Sequence, residues 1–231
     1  MKTIGMLGGM SWESSAVYYR ILNREAQKRL GGIHSAKTLM HSCDFAEMAA
    51  LQSAGRWDEA HDQMATIGVN LAKAGADFLI ICCNTMHTAA SQIEQAARIP
   101  LLHIADPLGE ALKAAKVSHP ALLGSRHTMS RDDILRGRLK SKFGIDVMVP
   151  DGADAKEVDR VIYDELTRGQ FLEASRARYR DIIARLVARG ADSVILGCTE
   201  LPLLVQPEDS TVPLFDTTTL HAFAAVERAL A

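Results

Sequence analysis

The chain has 231 residues, with 26 Lys and Arg against 28 Asp and Glu, so its formal net charge is −2. No basic run stands out, which argues against a nucleic-acid or membrane-surface partner and favours a small-molecule ligand. The first nine residues do not form a signal peptide and no segment is long enough to span a membrane, so we expect a cytoplasmic protein. In a reducing compartment its four cysteines would be free thiols, and their spacing matches no strong metal-site pattern.

Short apolar runs alternate with longer amphipathic stretches along the chain, a pattern typical of β–α units and a parallel sheet. In chain order, strands are predicted at residues 3–8, 37–42, 77–83, 100–104, 119–124, 145–149, 192–197 and 212–215. Helices with apolar residues at helical spacing are predicted at residues 14–30, 58–74, 85–98, 131–143, 155–168 and 172–189. We therefore predict an α/β fold with two mostly parallel four-stranded sheets, each flanked by helices.

A nine-residue segment occurs twice. Residues 75–83 read Gly-Ala-Asp followed by an apolar run that ends in cysteine, and residues 190–198 repeat this pattern 115 positions later. Two shorter matches keep nearly the same spacing: 4–8 with 120–124, and 99–102 with 212–215. Such helix-to-strand junctions are common singly, but three ordered matches favour two related halves. We assign residues 1–98 plus 210–231 to the first half and 99–209 to the second, with the active site in the cleft between these domains.

Each copy of the repeat ends on a cysteine, Cys83 in the first and Cys198 in the second. A predicted helix starts just after each one, and the unpaired N–H groups and dipole of a helix start favour a thiolate. An ordinary cysteine has a pKa of about 8.5, so modest stabilisation gives a base at neutral pH. A reaction that inverts a carbon centre needs one acid/base group on each face, and we predict that these two thiols are catalytic. The alternative is that each is a small buried hydrophobe, the role that we assign to Cys82 and Cys43.

The polar residues after each cysteine favour an anion site. Backbone amides at the helix starts, with the side chains of Asn84, Thr85 and Thr199, would bind a substrate carboxylate. Two glycine-containing loops, at 8–11 and 124–128, also follow strands, and loops of this kind can bind phosphate. Neither loop matches the dinucleotide or Walker A pattern, so a nucleotide is the less favoured ligand.

Histidine is the other residue type that could supply an acid or a base. The chain has eight histidines, and His87 lies nearest to a candidate thiol in sequence, four residues after Cys83. A general-base role fits its position, and so does a capping or solvated role.

A resemblance to a known family is carried by three motifs: Cys83-Asn84-Thr85, Gly197-Cys198-Thr199-Glu200, and Ile4-Gly5-Met6-Leu7-Gly8-Gly9-Met10 at the start. With these motifs the chain resembles, over essentially its whole length, the aspartate/glutamate racemase family of pyridoxal-independent enzymes. The resemblance implies a pseudo-symmetric two-domain α/β fold, a homodimer, no cofactor, and Cys83 and Cys198 as the two acid/base residues. It also implies that an amino acid substrate is surrounded by Met10, Gln52, Asn84, Thr85, Thr128 and Thr199.

One departure from the family pattern bears on specificity. Acid-selective members carry basic residues for the side-chain carboxylate at positions where this chain has Met48 and Thr167. Neither side chain can pair with an anion. Arg168 is adjacent to Thr167, but it points about 100° further round a helix. We therefore expect an amino acid racemase that acts on aspartate and glutamate or on a broader range, and not one strictly specific for aspartate.

Two other kinds of function stay open. Relatives in the same superfamily act on hydantoins, maleate or arylmalonates, and the paired cysteines argue against decarboxylation but leave hydantoin racemisation and maleate isomerisation open. A non-catalytic amino acid binding protein would also have two α/β domains around a cleft. The doubled thiols and the lack of an export signal argue against binding alone.

Overall fold

The computed structural model describes residues 1–231 and has an α/β fold, which confirms the predicted class. Its strands are β1 (Ile4–Gly8), β2 (Thr38–Ser42), β3 (Phe78–Ile81), β4 (Pro120–Leu123), β5 (Ser193–Leu196) and β6 (Leu214–Asp216). Its helices are α1 (Trp12–Leu30), α2 (Phe45–Ser53), α3 (Trp57–Lys73), α4 (Ala90–Ala97), α5 (Ala105–Ala114), α6 (Arg126–Ser130), α7 (Gly152–Asp164), α8 (Glu173–Ala188), α9 (Leu201–Leu204) and α10 (Thr217–Leu230). No helix combines the length and apolar character needed to cross a bilayer.

The two sheets are parallel, and they have the same strand order once a single bridged residue beside each sheet is included. Their strand orders are β2-β1-β3 and β4-β5-β6. A single bridged residue extends each sheet, Leu101 beside Leu79 of β3 and Met148 beside Ala121 of β4. The strands predicted at 100–104 and 145–149 are thus reduced to one paired residue each, and each sheet has three full strands.

Several predicted helices contain 3₁₀ or π-helical segments. The helix predicted at 85–98 begins with a 3₁₀ segment, Thr85–Ala89, before α4. The helix predicted at 131–143 forms two π-helical segments, Asp132–Arg136 and Leu139–Phe143. Further 3₁₀ turns lie at Leu166–Arg168 and Pro207–Asp209. The helices α2, α5 and α6 were not among the predicted helices, and α9 begins three residues after Cys198, where a helix start was predicted.

The Gly-Ala-Asp repeat has the same structural role in both copies. Gly75 and Gly190 follow α3 and α8 with φ of +101° and +102°, a backbone conformation that favours glycine at a helix end. Asp77 then accepts a hydrogen bond from the backbone N–H just before β1, at 2.6 Å. Asp192 makes the equivalent bond to the backbone just before β4, at 2.7 Å. Each copy therefore ends a helix and fixes the entry of the neighbouring strand.

The chain divides into two compact units, residues 1–104 with 221–231 and residues 105–220. The boundaries predicted from the sequence are 98/99 and 209/210, whereas these units meet at 104/105 and 220/221. Residues 99–104 stay with the first unit because Leu101 pairs with β3. Residues 214–216 stay with the second unit because β6 pairs with β5.

Both faces of the first sheet are covered by helices, as the near-continuous apolar runs of β1 and β3 require. One face packs against α2, α3 and α4 through a cluster that includes Leu7, Leu79 and Ile81. The other face packs against α1 and α10 through a cluster that includes Met6 and Ile80. Alternation along β3 therefore decides on which face each residue that follows the strand lies.

The second sheet packs against α7 and α8. Ala121, Leu123, Val194 and Leu196 form one apolar cluster with residues of these helices. Tyr179 of α8 is fully buried there, and its hydroxyl donates to a backbone carbonyl of α7 at 2.9 Å. This core fixes the end of β5, from which the second candidate cysteine follows.

Candidate active site

The first candidate cysteine lies directly after β3. Cys82 has no exposed surface and packs in the cluster beneath α1 and α10, where burial raises the pKa of its thiol. Cys83 turns to the opposite face, is partly exposed, and packs against the cluster beneath α2, α3 and α4. The structure therefore supports a purely structural role for Cys82 and leaves Cys83 as the reactive candidate.

The residues after Cys83 enter a helical turn at once. Asn84 and Thr85 are buried, and the 3₁₀ segment begins at Thr85. Gln52 of α2 lies close by, since its Nε2 donates to the Met86 sulfur at 3.1 Å. Met10, from the loop after β1, belongs to the same apolar cluster as Met86. Four of the predicted substrate residues (Met10, Gln52, Asn84 and Thr85) thus lie around the end of β3.

The loop after β1 requires its second glycine. Gly9 has φ of +89°, and a Cβ atom there would lie 2.2 Å from the backbone nitrogen of Cys43. The Cys43 N–H donates to the Gly8 carbonyl at 3.0 Å, which continues the contact of β1 with β2. Burial, together with the nearby Glu47 carboxylate, raises the pKa of the Cys43 thiol. A structural role for Cys43 agrees with these contacts.

The second candidate cysteine lies beside a buried carboxylate. The Cys198 thiol donates to Glu200, with 3.1 Å between Sγ and Oε2. The Thr199 hydroxyl donates to the same oxygen at 2.7 Å. Thr199 and Glu200 are 4% and 3% exposed, whereas Cys198 is partly exposed. Because a carboxylate can accept a proton from the thiol, this pair is suited to acid/base chemistry.

Thr128 is held near the end of β5 by two glycines. A Cβ atom on Gly124 would lie 3.1 Å from the Gly197 carbonyl oxygen and 3.2 Å from the Thr128 Cβ atom. Ser125 caps α6, with its hydroxyl oxygen accepting from the Thr128 N–H at 3.3 Å. Thr128 is 1% exposed. The structure thus brings Thr128, Cys198 and Thr199 together within the second unit.

His87 is committed to the backbone through both ring nitrogens. Its Nδ1 lies 2.8 Å from the carbonyl oxygen of Cys83, and its Nε2 lies 3.2 Å from the backbone nitrogen of Ile104. Burial, followed by the nearby His103 and His221 rings, holds the pKa of His87 well below its usual value. These contacts favour the structural alternative over a general base that acts directly on a substrate.

The two positions that bear on specificity differ in their surroundings. Met48 is 2% exposed and packs in the apolar cluster around α2 and α3. Thr167 is partly buried, and its hydroxyl donates to the Tyr163 carbonyl at 2.9 Å. Arg168 is exposed. Neither Met48 nor Thr167 supplies a cation.

Glu200 is the residue to which sequence analysis assigned no role. The available signal was a carboxylate two residues after the second cysteine, where the first copy of the repeat has Thr85. Serine caps at the loops after β1 and β4 were also missed. Ser11 accepts from the Ser14 N–H at 3.3 Å, just as Ser125 accepts from Thr128. No group of three or more His, Cys, Asp or Glu side chains is arranged to hold a metal ion.

These features define a class of protein: a duplicated α/β chain in which a cysteine follows the equivalent strand of each unit, β3 and β5, with buried hydroxyl groups after it. The family assignment agrees with this. The chain belongs to the Asp/Glu/Hydantoin racemase family, whose sequence profile matches residues 7–225.

Individual relatives match over nearly the whole chain. The broad specificity amino-acid racemase RacX of Bacillus subtilis is 26% identical, covering 99% of this chain and 98% of that protein. The crystal structure of a candidate Asp/Glu racemase from Yersinia pestis is 45% identical, with a TM-score of 0.93 and full coverage of both chains. An aspartate racemase homologue from Pyrococcus horikoshii is 28% identical, with a TM-score of 0.86 and full coverage of both chains. The family and the fold that the sequence predicted are therefore confirmed.

Proposed function

We propose that the protein is a cofactor-independent amino acid racemase in which Cys83 and Cys198 act on opposite faces of the substrate α-carbon. The observation that carries this proposal is the placement of one partly exposed cysteine after each of two equivalent strands, β3 and β5. Racemisation requires an acid/base group on each face of the α-carbon, and a duplicated fold with one thiol in each copy can supply both. Membership of a racemase family supports the same reaction.

In the proposed reaction one cysteine, as thiolate, takes the α-proton and becomes a thiol. The carbanion then takes a proton from the thiol on its other face, and that cysteine becomes a thiolate. The two thiols exchange roles in the reverse direction, so no proton is gained or lost overall. The α-proton of an amino acid is weakly acidic, so hydrogen bonds to the carboxylate and exclusion of water must stabilise the carbanion.

Glu200 gives Cys198 a route to its reactive form. The thiol is already hydrogen-bonded to the carboxylate oxygen at 3.1 Å. Transfer of its proton to Glu200 generates the thiolate, and return of that proton restores the acid. The corresponding position in the first unit is Thr85, so the two cysteines are activated by different groups.

We propose that the substrate carboxylate is bound by backbone amides after the two cysteines and by the side chains of Asn84, Thr85, Thr128 and Thr199. These four residues are buried, and burial favours hydrogen bonds to a carboxylate because water competes less for the bonding groups. Met10 and Gln52 lie beside the end of β3 and would contact the rest of the substrate.

We infer a substrate range that is broader than aspartate and glutamate. The two positions at which a cation would bind an acidic side chain hold Met48, which is buried among apolar residues, and Thr167. The relative from Bacillus subtilis is a broad specificity racemase. The homodimer and the cytoplasmic location stay predictions.

The test is proton NMR in D₂O on purified protein without pyridoxal phosphate, with single enantiomers of aspartate, glutamate and several neutral amino acids. We expect loss of the α-proton signal and accumulation of the opposite enantiomer. Cys83→Ser and Cys198→Ser should each abolish inversion, whereas Cys43→Ser, the matched control, should retain it.

Inversion at near wild-type rate in either catalytic-cysteine variant would disprove the two-base mechanism. If the folded protein exchanges no amino acid α-proton, hydantoins and maleate are the next substrates to assay. Binding of amino acids by calorimetry without any turnover would instead identify a binding protein.

A further inference from the structure

Three histidines lie together in the core of the first unit. His87, His103 and His221 are 2%, 8% and 0% exposed. The ring of His87 lies 4.7 Å from that of His103 and 5.6 Å from that of His221, centroid to centroid. Buried imidazoles are expensive unless their nitrogens are paired, so the contacts of each ring show what it holds in place.

The two contacts of His87 define its tautomer. A carbonyl oxygen only accepts hydrogen bonds, so Nδ1, which faces the Cys83 carbonyl at 2.8 Å, carries the proton. A backbone N–H only donates, so Nε2, which faces Ile104 at 3.2 Å, carries a lone pair. His87 is therefore a neutral imidazole that bridges the turn after β3 and the last residue of the first segment of the unit.

His221 makes a different pair of contacts. Its Nε2 donates to the Leu102 carbonyl at 2.9 Å, and its Nδ1 lies 2.9 Å from the Tyr18 hydroxyl. It thus binds the same returning segment as His87, two residues earlier, and both of its ring nitrogens are used by Leu102 and Tyr18. His221 therefore supports the core of the unit, whereas His87 also supports the turn that carries Cys83.

We infer that His87 is a positioning residue for Cys83: its Nδ1–H holds the carbonyl of Cys83 while Ile104 fixes the ring from the other side. The expected effect of His87 on racemisation rests on the proposed function, whereas its effect on the position of Cys83 does not. Because the carbonyl and the side chain of Cys83 share one Cα atom, a shift of that Cα atom after loss of the hydrogen bond would move Sγ. Displacement of a reacting group by about 1 Å can reduce a rate by about 100-fold.

Three substitutions separate the two contacts. In His87→Asn the amide nitrogen takes the place of Nδ1 and retains the donor to Cys83. In His87→Gln the longer side chain places its oxygen near the position of Nε2, which retains the acceptor for Ile104 and loses the donor. His87→Phe fills the space and loses both. His221→Asn is the matched control, since it perturbs the same cluster without a hydrogen bond to Cys83.

The first readout is steady-state racemisation. We expect the Gln and Phe variants to lose at least about 10-fold in kcat, with KM within about 3-fold of wild type. The Asn variant should stay within about 3-fold of wild type in both. The second readout needs no activity: the rate of Cys83 alkylation by iodoacetamide, followed by peptide mass spectrometry, should change in the Gln and Phe variants and not in the Asn variant or in His221→Asn.

The third readout uses the wild-type protein and so survives any failure of a variant to fold. Nitrogen-15 NMR of histidine-labelled protein should show His87 at neutral pH as the neutral tautomer protonated on Nδ1. The Nε2–H tautomer or an imidazolium would overturn the inference. So would a Phe variant that matches wild type, an Asn variant as impaired as Phe, or equal changes of Cys83 reactivity in His221→Asn. If neither wild type nor any variant racemises an amino acid, but the alkylation and NMR results are as expected, the proposed function is disproved and the positioning role of His87 stands.

Discussion

The Glu200 carboxylate accepts two hydrogen bonds at one oxygen, from Cys198 at 3.1 Å and from Thr199 at 2.7 Å. The thiol therefore points at a buried base rather than at another apolar group. We expect Glu200→Gln to lower kcat/KM by about 100-fold, since the amide preserves the shape but cannot take the thiol proton. The free energies of two enantiomers are equal, so the loss of kcat/KM must be the same in both directions.

The direction-dependent effect of Glu200→Gln should appear in the α-deuterium isotope effect. The step at Cys198 becomes slower than the step at Cys83, so the isotope effect should rise for the enantiomer whose proton Cys198 removes and fall for the other. Progress curves with α-deuterated substrates measure this. Glu110→Gln, which changes an exposed carboxylate on α5, is the control. Wild-type rates in Glu200→Gln would exclude a role for this carboxylate in proton transfer.

Gly9 should be among the positions most sensitive to a single added methyl group. A Cβ atom there would lie 2.2 Å from the Cys43 nitrogen, and φ is +89°. We expect Gly9→Ala to lower the free energy of unfolding by about 3 kcal/mol, because backbone must move to relieve the contact. Gly144→Ala also has a positive φ, +71° in the left-handed region, but no atom lies within 4 Å of its Cβ position, so it should cost about 1 kcal/mol. Urea denaturation of both variants tests the difference, and equal losses would contradict the steric reason.

The fold was predictable because its main determinants are local. The apolar runs of β1, β3, β4 and β5 are continuous, and each is preceded or followed by glycine, so strand and helix positions follow from the pattern. The repeat was recognisable because Gly75 and Gly190 end helices and Asp77 and Asp192 fix strand entries, and no other residue types do this as well. Cys83 was separable from Cys82 by alternation alone.

The features that the sequence missed depend on contacts between distant residues. The unit boundaries shifted because Leu101 pairs with β3 and β6 pairs with β5, and neither pairing is written in local composition. The role of His87 depends on Ile104, 17 residues away. The Glu200 contact is close in sequence, but it depends on a side-chain rotamer that directs the carboxylate back toward Cys198.

The ion pair between Arg176 and the buried Asp209 should contribute more to the free energy of unfolding than an exposed ion pair does. The Asp209 side chain is 1% exposed and receives a hydrogen bond from Arg176 at 2.7 Å. Burial alone would raise the pKa of Asp209, but the Arg176 bond and a backbone N–H lower it overall. Arg176→Met leaves a buried carboxylate without this partner and should cost about 3 kcal/mol of unfolding free energy.

The matched control for that pair is Arg185→Met, which breaks an exposed pair with Asp154. It should cost less than about 1 kcal/mol, because solvent screens both charges. The double variant Arg176→Met with Asp209→Asn should recover part of the loss, since it removes the buried charge. Equal effects of the two arginine substitutions in chemical denaturation would show that burial of Asp209 does not decide the energetics.

The buried His87 should make the stability of the protein fall in mild acid. Its pKa is lowered in the folded state by burial and by the His103 and His221 rings, so below the usual histidine pKa the unfolded chain binds a proton that the folded chain does not. Stability from this source is complete above about pH 6.5 and decreases below it by up to about 1.4 kcal/mol per pH unit. Urea denaturation at several values between about pH 7 and pH 5 should therefore show a steeper loss of unfolding free energy in wild type than in His87→Asn.

The exposed His34 supplies the control, and His34→Asn should follow the wild-type slope. Identical slopes in wild type and His87→Asn would mean that His87 takes up a proton equally in both states, contrary to its two backbone contacts.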